Sequence, residues 1–262
     1  MPDAVTRFSS YAADYDAARP HPPAELAEVL MQWSGASAPD VVDVGAGTGL
    51  SALIWAGRAQ AVTAVEPGDG MRDVAQQRLA ALPGPTRFAV AGGSAENTGL
   101  PDACADIVTA SQAMHWFDAA RALPEMARIL RPGGVFAAYD CDWPPCIDWE
   151  TDSAYEAFDR RVVELEEARG LRPSHSGKNH LARLRDSGLF RHATEIAVHS
   201  REQGDARRLA DVGLSQGGAV ALLEAGATED EIGMTALREV AARRLPGPVT
   251  WWWTYRVRMA VK

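Results

Sequence analysis

Cysteine is scarce in this chain, with Cys104, Cys141 and Cys146 the only three among 262 residues. So sparse and odd a set argues against a disulfide framework and suits a reducing compartment. Cys141 and Cys146 stand too far apart for a CxxC site, and no histidine lies near them at zinc-finger spacing. No metal site is expected on that ground. Long apolar runs are also missing, and none approaches the length needed to cross a bilayer. The first twenty residues carry Asp3, Arg7, Asp14, Asp16 and Arg19 in place of an apolar signal core. A cytoplasmic protein without membrane partners is expected. Basic residues are outnumbered, 26 against 35 acids, which leaves a net charge of −9. Such a surface repels phosphate backbones, so nucleic acid is not expected as a partner. Arg201, Arg207 and Arg208 form a small basic cluster, read as a solvated face.

No repeat and no low-complexity linker divides the chain. Its 47% apolar and 23% charged residues are ordinary for a globular protein. One domain over 1–262 is expected, made of an N-terminal lid (1–36), a core (37–140), substrate-side helices and a strand (141–248), and a last strand (249–262). Oligomeric state is unreadable.

What the chain does have is alternation. Short apolar runs at 41–44, 61–65, 87–91, 106–110 and 135–139 read as strands. Helical patterns at 50–58 and 70–82 lie between them. A further helix takes Pro124 in its first turn, where the missing N–H costs nothing. Arg131, Pro132, Gly133 and Gly134 form the turn before the fifth strand. Strands alternating with helices predict parallel β-α-β units in a doubly wound α/β sheet. The second half predicts helices at 152–169, 181–187, 219–224 and 229–244 and a strand at 190–200. From Trp251 to Lys262, apolar and mostly polar residues alternate with period two. This is a half-covered strand that adds antiparallel at one edge of the sheet.

The chemical signal is densest after the first strand. Val41-Val42-Asp43-Val44-Gly45-Ala46-Gly47-Thr48-Gly49 carries an apolar strand into glycines and then a helix. Glycines let the backbone turn sharply and let a ligand approach closely. In open α/β sheets ligands sit beyond the carboxyl ends of the strands. Glu66 ends the next strand, about 20 residues on, where an acid accepts ribose hydroxyls. The spacing is Gly-x-Gly-x-Gly rather than the G-x-G-x-x-G that cradles a dinucleotide pyrophosphate, which favours an adenosyl ligand over NAD.

Asp43 to Gly49 resembles the first motif of the class I S-adenosylmethionine (SAM)-dependent methyltransferases. Glu66-Pro67 with Met71 resembles the second. Gly93-Ser94-Ala95-Glu96 followed by Leu100-Pro101 is similar to the adenine-contacting loop. Ala110 to Phe117 resembles the strand-four motif of the methyltransferase type 11 branch, and Leu130 to Gly134 matches its turn before strand five. The segment Phe8 to Pro23 looks like the branch's aromatic and arginine-bearing lid. The resemblance implies a Rossmann-like, mostly parallel sheet with a helical lid, and SAM as cofactor with S-adenosylhomocysteine as product. It implies that Asp43, Gly45 and Gly47, with Ala46, shape the methionine pocket. Glu66, beside Pro67, would hold the ribose. Met71 and Ala95 would flank adenine, with Ser94 and Glu96 nearby. Ser111 and Gln112 would lie by the sulfonium.

A sulfonium favours aromatic and oxygen-rich surroundings. Tyr11, Tyr15 and Trp116 are candidates, Tyr15 on the cofactor side and Tyr11 and Trp116 toward the acceptor. Arg19 could pair with a carboxylate of the cofactor or acceptor. His115 is the candidate general base, because imidazole titrates near neutrality, and packing into the pocket wall is its other reading. Asp140 and Trp143 follow strand five on the ligand side and are read as substrate contacts. His180 and the remaining histidines are read as structural or exposed. The expected activity is methyl transfer to a small-molecule acceptor. A lyase or cyclase acting on SAM itself is the alternative, followed by a SAM-sensing scaffold and, last, an NAD oxidoreductase. The acceptor is not legible.

Overall fold

The computed structural model describes residues 19–171 and 179–262. Tyr11, Tyr15 and most of the segment read as a lid lie outside the described residues. The first described helix, α1 (Ala24–Ser34), follows Pro23 and closes at Gly35, whose N–H bonds the Met31 carbonyl at φ +71°. Leu26, Ala27 and Leu30 share its buried face.

Seven strands form one sheet: β1 (Asp40–Val44), β2 (Ala61–Val65), β3 (Arg87–Ala91), β4 (Ala105–Ser111), β5 (Leu130–Cys141), β6 (His192–Gly204) and β7 (Val249–Val261). Their order is β3-β2-β1-β4-β5-β7-β6. The first five run parallel, and β7 pairs antiparallel with both β5 and β6. The mostly parallel α/β sheet expected from the alternation is therefore present. The last strand is antiparallel as expected, but β6 takes the edge. Period two fixes which face a strand buries and says nothing about how many neighbours it has. Trp251, Trp253, Tyr255, Val257 and Met259 are buried on one face, and Arg258 and Ala260 are buried on the other.

Among the described residues the other helices are α2 (Asp69–Ala80), α3 (Ala119–Ile129), α4 (Trp149–Ala168), α5 (His180–Asp186), α6 (Ala206–Leu214), α7 (Gly217–Glu224) and α8 (Met234–Arg244). They cover both faces. One core joins α1, α4, α6, α7 and α8 to residues such as Val41, Ile107, Tyr139 and Trp253. The other joins α3 and Leu184 of α5 to Val42, Val108 and Phe136.

Four local expectations are corrected. The helix expected at 50–58 is a single 3-10 turn, Ser51–Trp55, because Gly49 and Gly57 bracket it at positive φ and leave no length for an α-helix. Pro124 sits inside α3, since Asp118 caps that helix by accepting the Ala120 N–H and so starts it five residues earlier. The turn at Gly133 survives as an irregularity within β5, between the pairs Ala105↔Leu130 and Ile107↔Val135. The helix expected from 229 begins only at Met234, after Gly233 at φ +82°.

Candidate functional site

The strand order turns back on itself between β1 and β4: the chain builds outward through β2 and β3, then returns to the other side of β1. The loops leaving β1 and β4 diverge at such a point and open a crevice. A cavity of about 430 Å³ lies there. Its lining includes Arg19, Gly45, Ala46, Gly47, Glu66, Pro67, Met71, Ser94, Ala95, Glu96, Ser111, Gln112 and Trp116. These residues come from five separate stretches of sequence, and the fold brings them to one place.

The floor is set by β1 and its exit. Asp43 is fully buried and accepts the Thr109 hydroxyl at 2.7 Å and the Ser51 hydroxyl. It does not line the cavity. It ties β1 to β4 and to the 3-10 turn beneath the glycine loop. Burial raises the Asp43 carboxyl to about 6, against the pull of both hydroxyls, with the Glu66 carboxylate adding to the rise. Gly45 turns the chain at φ +68°, and a Cβ there would meet the Ala113 Cβ at 2.8 Å and the Phe117 ring at 3.2 Å. Only glycine lets the β1 and β4 loops approach this closely.

Glu66 stands at the tip of β2. One of its oxygens accepts the Gly47 N–H at 3.0 Å and the other the Gly68 N–H at 2.9 Å. The side chain is thus fixed across the glycine loop, and each oxygen keeps lone-pair capacity for a further donor. Ser94, Ala95 and Glu96 form the next wall. Burial acts to raise the Glu96 carboxyl, but the Asp118 N–H, its own backbone N–H, the Ser94 hydroxyl and the Arg121 charge together hold it below the usual range.

Beyond β4, Gln112 takes φ +49°, an uncommon conformation for a residue with a Cβ. Its N–H bonds the Tyr139 carbonyl at 2.7 Å and its side-chain amide donates to the Cys141 sulfur at 3.2 Å. Such strain persists where surrounding structure fixes it, and it gathers at ligand sites. Arg19 reaches in from the other side. It donates to the Ser215 carbonyl at 2.8 Å and to the Gln112 side-chain oxygen at 3.4 Å, and its guanidinium lies 5.1 Å from the Trp143 ring centroid. Arg19 is 9% exposed, a buried arginine of the cavity wall.

The acceptor-side residues divide. Trp116 lines the cavity and is 41% exposed. Trp143 does not line it and instead packs edge-on against Trp253 under Arg19. Asp140 is not in the lining either. It is buried, and Arg258 donates to it at 3.0 Å while also donating to Glu195 at 2.6 Å. Its position after β5 points to the ligand side in sequence, but an inward-facing carboxylate is drawn to the buried arginine of β7. His115 packs on Trp116, ring centroids 5.0 Å apart, with its Nδ1 3.7 Å from Asp140. His115 lies outside the cavity lining. His180, 65 residues later, is fully buried with its Nε2 3.6 Å from the same carboxylate. Burial pushes His180 down to about 4, against the attraction of Asp140. Sequence spacing gave no sign that His115, Asp140 and His180 meet. Phe117 and Ala113 were also missed as lining residues, although both fall within or beside the strand-four motif.

Comparison with known proteins agrees with this geometry. Residues 42–138 match the family model described as a methyltransferase domain. An uncharacterized methyltransferase of Mycobacterium bovis is 41% identical over 132 residues, 50% of this chain and 51% of that one. A malonyl-[acyl-carrier protein] O-methyltransferase of Serratia marcescens is 37% identical over 132 residues, 50% of this chain and 49% of that one. The chain thus spans about half the length of the curated relatives it matches. A solved structure from Anaeromyxobacter dehalogenans, assigned only provisionally as a type II methyltransferase, is 27% identical with a TM-score of 0.67, covering 93% of this chain and 97% of that one. Residues 42–138 thus match a methyltransferase domain, and the fold as a whole is similar to that of the Anaeromyxobacter dehalogenans structure.

Proposed function

We propose that the cavity binds SAM and that the chain transfers its methyl group to a small-molecule acceptor in a reducing compartment. The observation that carries this reading is Glu66, held by two backbone N–H groups across a glycine loop that admits no Cβ at Gly45. An acid with spare lone pairs suits a ribose diol, and the Gly45 turn leaves room for the methionine chain. The size of the cavity lies within the range usual for cofactor sites. When bound, SAM supplies an electrophilic methyl on a cationic sulfonium.

The residues of the chain then act mainly by placement. In-line displacement rewards alignment and exclusion of water. Arg19 offers a buried cation for a carboxylate at the Gln112 end of the cavity. Trp116 offers an aromatic wall to the sulfonium and the acceptor. Met71 and Ala95 supply apolar contact for the adenine ring, while Ser94 and Glu96 add polar groups beside it. His115 is assigned to the wall behind Trp116 rather than to proton transfer, because its Nδ1 faces Asp140 and its ring is outside the lining.

Glu66→Ala is expected to weaken SAM binding by at least about 100-fold, since two hydrogen bonds to a charged group contribute about 1.5–3 kcal/mol each. Calorimetry on folded variant and wild type reads this directly, and equal dissociation constants would remove Glu66 from the ribose. Incubation with SAM alone separates the alternative. Methylthioadenosine formed without acceptor indicates a lyase or cyclase, whereas S-adenosylhomocysteine formed only with an acceptor indicates the transferase.

A further inference from the structure

Behind Trp116 the fold gathers a second set of ligating groups that the cavity does not use. His115 follows β4, Asp140 ends β5, and His180 opens α5. Each offers a ligand atom, and the three atoms lie within 4.8 Å of one another. The His115 Nδ1 and both ring nitrogens of His180 are buried without a hydrogen-bond partner. A buried polar atom left unpaired costs about 1–3 kcal/mol, so the His115 Nδ1 and the His180 Nε2, both orphaned beside one carboxylate, call for a common partner. A neutral imidazole offers one lone pair, and a carboxylate offers four lone-pair directions.

We propose that His115, Asp140 and His180 bind a divalent transition-metal ion of the zinc class. Two imidazoles and a carboxylate suit Zn²⁺, which takes these donors at about 2.0–2.2 Å. Tetrahedral bonds of that length set neighbouring ligand atoms about 3.3 Å apart. The His115 Nδ1 lies 3.7 Å from one oxygen of Asp140 and the His180 Nε2 lies 3.6 Å from the other, each a few tenths of an ångström above that value. Arg258 does not exclude the ion. It divides its donors between Glu195, which Arg256 also faces at 3.7 Å, and the Oδ2 of Asp140, while the His115 ring faces the Oδ1. Three protein ligands leave a fourth position for water, the arrangement of an open rather than a closed zinc site. Such an ion would clamp the β4 exit, the β5 end and the start of α5 together beside the cavity wall. It makes no use of the cofactor reading, and its test contains no SAM.

The experiment uses the full chain without an affinity tag, stripped with chelator and then titrated with Zn²⁺ by calorimetry and with Co²⁺ by visible absorption. One equivalent should bind, and Co²⁺ should show the intense d–d bands of a four-coordinate ion with nitrogen and oxygen donors. His115→Ala and His180→Ala should each weaken binding by more than about 10-fold, a loss seen even for residues that only support a ligand. His199→Ala, whose ring instead contacts the Thr254 hydroxyl on the exposed side of β6, should leave it unchanged. Circular dichroism checks that each variant is folded, and His115→Ala removes the less buried ligand should His180→Ala fail to fold. No saturable binding by folded wild type would overturn the site, and so would undiminished binding by both histidine variants.

Discussion

Asp43 shows how one side chain couples the fold to the site. Its carboxylate joins β4, through Thr109, to the 3-10 turn, through Ser51, and so holds the base of the glycine loop. Burial nonetheless opposes its charge, and its folded pKa of about 6 lies above the unfolded 3.8. A raised carboxyl contributes stability that is present below the unfolded value and is lost as pH rises through the folded one. Between about pH 4 and pH 6 this contribution should fall by about 3 kcal/mol. Asp43→Asn keeps the shape and removes the titration. The urea-unfolding free energy of wild type minus that of Asp43→Asn should therefore decline over this window, while a difference that is flat with pH would refute the account. Glu66 and Gly45 act differently, since one presents lone pairs and the other presents no side chain, and together they shape the glycine-loop side of the cavity.

At the scale of elements, the sequence showed strands where an apolar run meets a glycine or proline turn. β1, β2 and β3 lie where the runs at 41–44, 61–65 and 87–91 placed them, to within a residue. Helices were harder to read. α1 and α6 went unread, although Leu26 with Leu30, and Leu209 with Val212 and Gly213, carry the buried faces. The 3-10 turn was mistaken for a helix, since sequence alone does not weigh chain length against the distance back to β2. Pro124 inside α3 came from overlooking the Asp118 cap. That proline lacks the N–H that would bond the Ala120 carbonyl, and an interior proline costs up to about 3 kcal/mol. Greater unfolded-state freedom offsets part of the gain on removal. Pro124→Ala should then stabilise the chain by about 1–2 kcal/mol, raising the melting temperature by roughly 3–6 °C. Differential scanning calorimetry checks this, and a lowered melting temperature would contradict it.

At the scale of the whole molecule, what sequence could not show is how distant residues meet. Most of the cavity-lining residues were legible because they follow strands, and the doubly wound order places those strand ends together. Asp140 was misplaced because its partner, Arg258, lies 118 residues away on β7. The meeting of His115 with His180 depends on α5 packing against the antiparallel end of the sheet, where no motif spacing applies. Among the described residues no helix is long and apolar enough to cross a membrane. The most direct measurement is isothermal titration of the full chain with S-adenosylhomocysteine, and with NAD in parallel. Saturable one-to-one binding of S-adenosylhomocysteine, with no heat from NAD, is the predicted result. No detectable binding of S-adenosylhomocysteine by the folded protein would contradict the assignment of the cavity.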